Sequence, residues 1–415
     1  MTNISTQYAM AAFASSLFIY TLLKLVYRIF FHPLRRFPGP TLAACTKYYR
    51  GYHDIVQNGG WLEQLDKLHR LYGPVVRVAP NQLDFSGSKA YDDIISKPYP
   101  KDHEYYEVLG KPNADALVTT CDPKEASGRR LAIGAYLSRK AVFRLEHDVE
   151  EKVDTLVHRL SSHVSSEQPV DLTYAFRAAS LDIITSYLFA QRFNSLDYPN
   201  FQHPMILSLE KVTRNIWYPK YIPISFDKLP EWIVRKLVPA AIPMLDQQKH
   251  LNRQFFELVQ SDAPDEPKRA PAIFDVFLRK GPEGKKTWTI PRARLLDECT
   301  SLQVAGTDTV ANACTIGTYH LLRNPQILVN LQRELDQTWP DRDSPMNLGQ
   351  LEKLPYLTSV IKESLRLSHG VVDPLPHVVN RPDATVMGIP VPIGVSSDFN
   401  APVARSSQRL INATL

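Results

Sequence analysis

The chain has 415 residues, 44% of them apolar and 22% charged, which is the balance of an ordinary globular protein with room for a large core. Its 48 Lys and Arg side chains exceed its 43 Asp and Glu side chains by a net charge of +5, spread along the chain, so nucleic-acid binding gains no support. The four cysteines show no CxxC pair and no histidine at zinc spacing, and the GxGxxG, GxxxxGKS/T, HExxH and GxSxG signatures do not occur.

The first 31 residues form the most apolar stretch of the chain. No charged residue occurs from Tyr8 to Leu23, and the apolar character continues to Phe31, which exceeds the roughly 20 residues that cross a bilayer. A cleaved secretory signal is the alternative, but it places basic residues before the apolar run. Here they follow it, as Lys24, Arg28, Arg35 and Arg36. Residues 1–31 are therefore predicted to be a lumenal tip and a single-pass anchor in the endoplasmic reticulum membrane, with the main domain cytosolic.

A proline-rich segment and a small β-part follow the anchor. HPLRRFPGP, residues 32–40, cannot continue a helix and predicts a stiff hinge. WLEQLDKLHRLYG, from Trp61, has helical spacing, and VVRV and QLDF, which flank the turn at 79–81, predict a β-hairpin. The rest is predicted to be mostly helical, with a surface loop at 261–271 and helices over Arg129–Leu160, Leu172–Phe189, Met205–Ile216, Met244–Gln260 and Ile273–Leu278.

The stretch LLDECTSLQVAGTDTVANACTIGTYHLL is apolar nearly all round and predicts a long buried central helix. Thr289 and Pro291 are start signals, and Asn324 followed by proline is a stop signal. The span between them is about 33 residues, or about 50 Å at about 1.5 Å per residue. A helix of that length crosses a whole domain.

The middle turn of this helix, AGTDTV at 305–310, is unusual for a buried position. Gly306 costs about 1 kcal/mol relative to alanine, Asp308 is costly to bury without a partner, and the Thr309 hydroxyl can bond back to the preceding turn. Close packing of a neighbouring helix at Gly306 is one interpretation. The other, favoured by the clustering of these residues, is a bend that leaves room for a small ligand beside groups that pass protons.

A second helix begins near Leu354 and contains KESLRL, in which Glu363 and Arg366 stand at i, i+3 on one face. Apolar side chains surround the two charges, so the pair is predicted to be partly buried and structural.

In their order and spacing these motifs resemble those of the cytochrome P-450 family, the haem-thiolate monooxygenases, in its membrane-bound fungal form. AGTDTV is similar to the oxygen-binding motif AGx(D/E)TT, KESLRL to the ExxR motif, and HPLRRFPGP to the hinge after the anchor. The resemblance implies that Asp308 and Thr309 deliver protons and that Ala305 and Gly306 lie beside the cofactor and its dioxygen. It makes Glu363 and Arg366 the structural ion pair behind the haem.

Two further segments resemble the haem-propionate contacts of the family. DPKEASGRRLAIGAYLS, from Asp122, matches the segment whose arginines meet one propionate, which implies Arg129 or Arg130. His377 falls where a basic residue usually binds the other. The implied fold is mainly α with a small β-part, a cytochrome P-450-like domain over residues 41–394 behind the anchor and the 32–40 hinge.

The resemblance also implies an activity. Haem is the expected cofactor, and an NADPH-cytochrome reductase is the expected partner. The expected substrate is a lipophilic small molecule reached through membrane lipid. It would be hydroxylated or epoxidised with one atom of dioxygen, in secondary metabolism.

One expected motif does not occur. The family's FxxGxxxCxG loop carries the thiolate that ligates iron, and residues 395–415 do not resemble the family, so the fold is expected to be C-terminally truncated and the axial cysteine absent. The four cysteines, Cys45, Cys121, Cys299 and Cys314, stand in other contexts. Two interpretations remain open: a working monooxygenase lineage, and a non-catalytic truncated isoform or decayed gene product. A helical membrane receptor or scaffold would make the ordered motifs a coincidence.

Overall fold

The structure, a computed structural model, describes residues 2–109, 115–134, 136–166, 169–189, 193–214, 218–221, 230–239, 292–341, 344–370 and 373–400, with residues 242, 245, 246, 249 and 253. The helices predicted at 244–260 and 273–278 and the loop predicted at 261–271 lie outside the described residues, apart from four isolated positions.

Helices dominate the described chain. The first are α1 (Thr2–Val26), α2 (Thr41–Cys45), α3 (Tyr48–Gly51), α4 (Trp61–Tyr72), α5 (Ser88–Ile95), α6 (His103–Leu109), α7 (Pro123–Gly134), α8 (Arg139–Arg144), α9 (Glu146–Ser166) and α10 (Leu172–Phe189). They are followed by α11 (Pro204–Arg214), α12 (Tyr218–Tyr221), α13 (Glu231–Leu237), α14 (Arg292–Arg323), α15 (Pro325–Thr338), α16 (Leu348–Leu351) and α17 (Pro355–Ser368). The strands are β1 (Val75–Ala79), β2 (Gln82–Ser86), β3 (His377–Val378), β4 (Thr385–Val386), β5 (Ile389–Pro390) and β6 (Ser396–Asn400). The predicted mainly α class with a small β-part is confirmed.

The N-terminal helix stands away from the domain. α1 continues as a π turn over Tyr27–Phe31. The stretch Gln7–Phe31 has a mean hydropathy of 1.7, and its most apolar part is not buried against the rest of the described chain. By length and composition this helix can cross a membrane, as the sequence predicted for the anchor.

The four-stranded sheet has the order β1-β2-β6-β3, with the predicted β1–β2 hairpin at one edge. Successive side chains of β1 point to opposite faces. Val76 and Val78 pack against α4, whereas Val75 joins the core on the other face. β6 pairs in parallel with β2, so residues 396–400, which were expected in the divergent tail, lie inside the sheet.

The proline-rich hinge is fixed to this sheet. The backbone N–H of Arg77 donates to the carbonyl of Pro38 at 2.8 Å, and Leu34 is fully buried. A Cβ atom at Gly39 would lie 2.4 Å from the carbonyl oxygen of Arg77, so only glycine allows this approach. The Arg77 guanidinium donates to the carbonyl of Arg28 at 3.0 Å and thereby joins the sheet to the end of the N-terminal apolar helix.

The helical part packs around α10 and α14. α10 has the predicted bounds, and its Ala175, Ala178 and Leu181 form a core with residues of α9 and α11. The single helix predicted over 129–160 is wrong, because the chain divides there into α7, α8 and α9. Ser138 caps α8 by accepting the N–H of Ala141 at 3.4 Å. The sequence pattern does not predict this break, because the apolar spacing continues across it.

Candidate functional site

The central helix α14 continues through the AGTDTV turn without interruption, over 32 residues. Thr307 and Ala311 lie on its buried side. Ala305 and Thr309 are exposed and stand one turn apart, with Ala305 rotated about 200° from Thr307. The motif therefore presents two small side chains on the face of α14 that turns away from its packed side.

Gly306 lies at the contact between α14 and α10. A Cβ atom here would lie 2.9 Å from Cγ1 of Ile184 and 3.1 Å from its Cδ1. The two helices approach this closely because residue 306 has no side chain. This contact supports the packing interpretation of Gly306, whose missing side chain points about 100° round the helix from that of Ala305.

Asp308 takes part in a chain of charged and polar side chains. Its Oδ1 lies 3.1 Å from Nε of Arg177 on α10. Nη1 of that guanidinium lies 3.6 Å from Oε2 of Glu210 on α11, and the Tyr174 hydroxyl donates to the same Oε2 at 2.9 Å. Burial raises the pKa of Asp308, and Arg177 partly offsets the rise. The pKa of Asp308 therefore lies above that of a solvated aspartate.

Both threonines of the motif bond back along the helix. The Thr309 hydroxyl donates to the carbonyl of Ala305 at 2.7 Å, and the Thr307 hydroxyl donates to that of Gln303 at 2.8 Å. The two differ in environment, because Thr307 is fully buried and Thr309 is exposed. Of the two side chains, that of Thr309 lies on the exposed face of α14.

Arg129 extends from α7 to α14, where it contacts Glu298. Its Nη2 lies 3.4 Å from Oε2 of Glu298, and its Nη1 donates to the Thr120 hydroxyl at 2.6 Å. Glu298 precedes Ala305 by two turns of α14, so Arg129 borders the face that carries Ala305. Arg129 is 2% exposed, and burial raises the pKa of Glu298. Arg130, the alternative candidate, is exposed to solvent.

His377 lies on β3, and its backbone forms a bridge with that of Lys101. Its Nδ1 is 2.9 Å from the carbonyl oxygen of Leu375, and because a carbonyl only accepts, Nδ1 carries the proton. Burial lowers the pKa of His377, so the ring is neutral at physiological pH.

Glu363 and Arg366 form a bidentate ion pair on α17. Nε of Arg366 donates to Oε2 of Glu363 at 2.6 Å, and Nη2 donates to Oε1 at 2.5 Å. Nη1 of Arg366 is buried and has no hydrogen-bond partner in the described part of the chain. α17 crosses α14 at Gly317, where an added Cβ would lie 2.4 Å from the Ser364 hydroxyl. Gly317 therefore positions the ion pair against the central helix.

The four cysteines lie in four different environments. Cys299 is fully buried on α14, Cys314 is exposed further along that helix, Cys121 precedes α7, and Cys45 ends α2 beside the hinge. Burial raises the thiol pKa of Cys121, Cys299 and Cys314, which keeps these groups protonated. No cluster of three or more metal-ligating side chains occurs among the described residues.

The fold matches that of a solved haem protein. The haem domain of cytochrome P-450DA superposes with a TM-score of 0.69 at 14% identity, over 88% of this chain and 77% of that chain. This likeness establishes the class of fold: a mainly helical domain with a small sheet.

The sequence comparisons define the family. The cytochrome P-450 family model matches residues 48–400. Cytochrome P-450 monooxygenase aflU of Aspergillus parasiticus is 33% identical over 360 residues, covering 84% of this chain and 69% of that protein. Tryptophan 6-hydroxylase fscE of Fusarium equiseti is 32% identical over 381 residues, covering 90% of this chain and 74% of that protein. The chain belongs to the cytochrome P-450 family.

Haem is the cofactor expected from the family. The open face of α14 fits a flat apolar group on one side, because Ala305 and Thr309 are small and exposed and Arg129 lies at its border. The axial position does not fit, because none of the four cysteines lies in an FxxGxxxCxG loop: Cys299 and Cys314 lie on α14 itself, Cys121 precedes α7 and Cys45 ends α2. The described residues therefore supply one side of a haem site and no thiolate for the other.

Three site residues escaped the sequence analysis. Arg177 and Glu298 are charges in otherwise apolar helical stretches, a pattern that predicts a buried partner. Gly317 follows Gly306 by eleven residues on the same predicted helix, and two such glycines can mark two helix crossings. The sequence contains these signals, but their partners are defined only by the packing of α7, α10 and α17 against α14.

Proposed function

We propose that this protein serves as a membrane-anchored monooxygenase. It inserts one atom of dioxygen into a lipophilic small molecule, by hydroxylation or epoxidation, in secondary metabolism. NADPH supplies the electrons through a membrane-bound reductase. The observation that carries the proposal is the open face of α14, where Ala305 and the Thr309 hydroxyl are exposed beside the Asp308–Arg177 pair.

The residues of this face suit proton delivery to a bound ligand. The Thr309 hydroxyl, which donates to the Ala305 carbonyl, can turn to donate to a ligand on the exposed face. Asp308, with its raised pKa, can hold a proton and replenish that hydroxyl, and Arg177, Glu210 and Tyr174 link Asp308 to α11. Haem, when bound, supplies dioxygen binding and activation. The buried side of α14 against α10 holds these groups in place.

The anchor supports the membrane location. An apolar helix of 25 residues precedes the domain, and the Arg77 contacts fix its end to the sheet. By the distribution of basic residues, the main domain lies in the cytosol at the endoplasmic reticulum membrane. A lipophilic substrate would reach the domain from the lipid phase.

The cysteines favour a second candidate function. None of the four cysteines lies in an FxxGxxxCxG loop, the segment that carries the axial thiolate in the family. The second candidate is a non-catalytic member of the lineage that binds lipophilic molecules. The monooxygenase proposal consequently requires a thiolate from outside these residues.

One experiment separates the two candidates. The chain is expressed in microsomes with a reductase, both as residues 1–415 and extended by a segment with the FxxGxxxCxG loop. We expect the extended protein to give NADPH-dependent products heavier by one oxygen atom from a panel of lipophilic compounds, and residues 1–415 to give none. If the extended protein binds haem and forms no such product, the monooxygenase proposal is wrong.

Matched threonine variants locate the chemistry. Thr309→Ala in the extended protein should lower product formed per NADPH about tenfold or more, a typical loss for one proton-transfer group. Thr315→Ala is the control, because its hydroxyl makes the same back-bond, to Ala311 at 2.8 Å, elsewhere on α14. Equal losses from both variants would contradict the assignment of Thr309.

A further inference from the structure

The short helix after α2 has its charged side turned inward. α3 continues as a π turn over Tyr52–Val56, and the two form one helical segment, residues 48–56. Arg50, His53 and Asp54 are buried on its inner side. A helix at a water-facing surface has the reverse arrangement, with its charged side chains outward and its apolar side chains inward.

Contacts with the domain fix the inner side of this segment. Nε of Arg50 donates to Oδ2 of Asp54 at 3.1 Å, and Cζ of Arg50 lies 5.3 Å from the ring centre of Trp61 on α4. Asp54 also accepts the hydroxyl of Tyr221 at 2.6 Å. The ring centre of His53 lies 6.0 Å from that of Trp61. These contacts determine which side of the segment faces away from the domain.

The other side of the segment carries aromatic and apolar side chains. Tyr48, Tyr52 and Val56 recur every four residues and are 56%, 51% and 68% exposed. We call these three side chains the outer face of α3. Single exposed apolar residues are common on soluble proteins. A row of them backed by buried charges indicates that the surroundings of this face are apolar.

The outer face begins beside the end of the N-terminal apolar helix. Nη1 of Arg28, in the π turn that ends this helix, donates to the carbonyl of Cys45 at 2.5 Å. Cys45 precedes Tyr48 by three residues, and Arg28 and Tyr48 border the same cavity. Phe30 and Phe31 in the π turn are also exposed. Exposed apolar side chains therefore occur on both sides of this junction.

The composition of the outer face fits a lipid–water interface. Tyrosine is enriched at such interfaces because its ring is apolar and its hydroxyl is polar. The N-terminal helix is long and apolar enough to cross a bilayer, and Arg28 lies at its C-terminal end. Because Arg28 holds the end of α2 against this turn, α3 lies at the level of the interface when the N-terminal helix spans the membrane.

We propose that the outer face of α3 rests on the lipid–water interface and forms a second membrane contact beside the N-terminal helix. The proposal rests on the membrane location given under the proposed function. The hydroxyls of Tyr48 and Tyr52 lie among the lipid head groups, while their rings and Val56 contact the outer part of the acyl chains. Two contacts restrict the tilt of the domain on the membrane, which a single helix does not.

Tyrosine acetylation tests the second contact. The full chain is placed in phosphatidylcholine nanodiscs, one chain to a disc, and treated with the water-soluble reagent N-acetylimidazole. Tyr319 on α14 is the reference, because it is 53% exposed. We expect Tyr48 and Tyr52 to react about tenfold or more slowly than Tyr319, since lipid excludes the reagent. Equal rates would overturn the proposal. Protection that needs two chains in one disc would assign the face to a second copy and overturn the lipid contact.

A photoactivatable diazirine on the acyl chain of the disc lipid tests the membrane location separately. It labels side chains that contact the acyl chains, and mass spectrometry locates the label. We expect label in α1 and in residues 48–56. Label in α1 without label in residues 48–56 would overturn the second contact alone. An unlabelled α1 would overturn the membrane location itself, and the contact with it.

A charge on the outer face should lift it from the lipid. Val56→Asp should raise the acetylation rates of Tyr48 and Tyr52 in nanodiscs about threefold or more, because a carboxylate is costly to bury in lipid. Val164→Asp on α9 is the control, since Val164 is 79% exposed, and it should leave both rates unchanged. Circular dichroism verifies that each variant folds. Unchanged rates in folded Val56→Asp protein would overturn the assignment of this face.

Discussion

Asp308 and Arg177 form an ion pair across the contact between α14 and α10, with 3.1 Å between Oδ1 and Nε. This pair explains how an aspartate is tolerated in the middle of a long packed helix, because the guanidinium offsets the cost of burying the charge. The same guanidinium contacts Glu210, so the pair extends to α11.

Removing the cation should destabilise the protein in a pH-dependent way. Arg177→Leu leaves Asp308 and Glu210 partly buried without their shared partner, and we expect the free energy of unfolding to fall by about 1–2 kcal/mol at pH 8. The raised pKa of Asp308 makes the loss smaller at pH 5, where protonation relieves the unpaired charge. Urea unfolding at the two pH values measures the difference.

The control for this variant is Arg214→Leu. Arg214 pairs with Glu210 at 3.5 Å, but its side chain is 72% exposed. Solvent screening should limit its effect to about 0.5 kcal/mol or less at either pH. If Arg214→Leu lost as much stability as Arg177→Leu, the effect of Arg177 would not depend on its contact with Asp308.

Packing at the motif should make Gly306 intolerant of a side chain. Gly306→Ala places a methyl group 2.9 Å from Ile184, and the overpacking should cost about 1–3 kcal/mol despite the better helix propensity of alanine. Gly134→Ala on α7 meets no atom within 4 Å and should be neutral or stabilising. Thermal unfolding compares the two. Partial rescue of Gly306→Ala by Ile184→Ala would identify the clash as the cause.

The sequence predicted the apolar N-terminal helix, the β1–β2 hairpin and the limits of α10 because each depends on local patterns. Apolar length, proline content, period-two alternation and helical spacing are readable within a dozen or so residues. The order of the motifs was sufficient to indicate the family. Contacts between distant segments could not be predicted from the sequence, because they depend on how separate elements pack. They are Arg177 with Asp308, Glu298 with Arg129, and β6 with β2. Roles inferred for Asp308, Thr309, Arg129 and His377 remain predictions.

Two carboxyl groups face each other inside the sheet. Asp84 and Asp398 are paired in register on β2 and β6, and each is 1% exposed. Burial raises the pKa of Asp84 to about 7 and raises that of Asp398 as well. His69 Nδ1 must donate to the carbonyl of Gly73, so its neutral Nε2 accepts from a protonated Asp84.

These carboxyl groups predict a loss of stability at high pH. A folded-state pKa raised above the unfolded value gives stability that is present below about pH 4 and lost as the pH rises through about 7. Urea unfolding between pH 5 and pH 8.5 should show this decline, and Asp84→Asn should flatten it. A stability that rises over this range in the unaltered protein would contradict the raised pKa values of these two carboxyl groups.

The Glu363–Arg366 pair should show the opposite pH dependence. The hydrogen bond from Arg366 lowers the pKa of Glu363, so the stabilisation is present above its ordinary value of 4.5 and is lost as the pH falls through the lowered value. Both side chains are about one quarter exposed, so we expect Glu363→Gln to cost only about 1 kcal/mol at pH 7. Glu352→Gln, in the exposed Arg139–Glu352 pair, is the control and should cost less. A double-mutant cycle with Arg366→Met measures the coupling.

The state of the four thiols is tested most directly by the reduced carbon-monoxide difference spectrum of residues 1–415, expressed with haem precursor. Because none of the four cysteines lies in an FxxGxxxCxG loop, and Cys299 and Cys314 lie on α14 itself, we expect no red-shifted Soret band of the thiolate-ligated type. The extended protein with the FxxGxxxCxG loop should show that band. A thiolate-type band from residues 1–415, abolished by a single Cys→Ser variant, would contradict this assignment and identify the cysteine that reaches the iron.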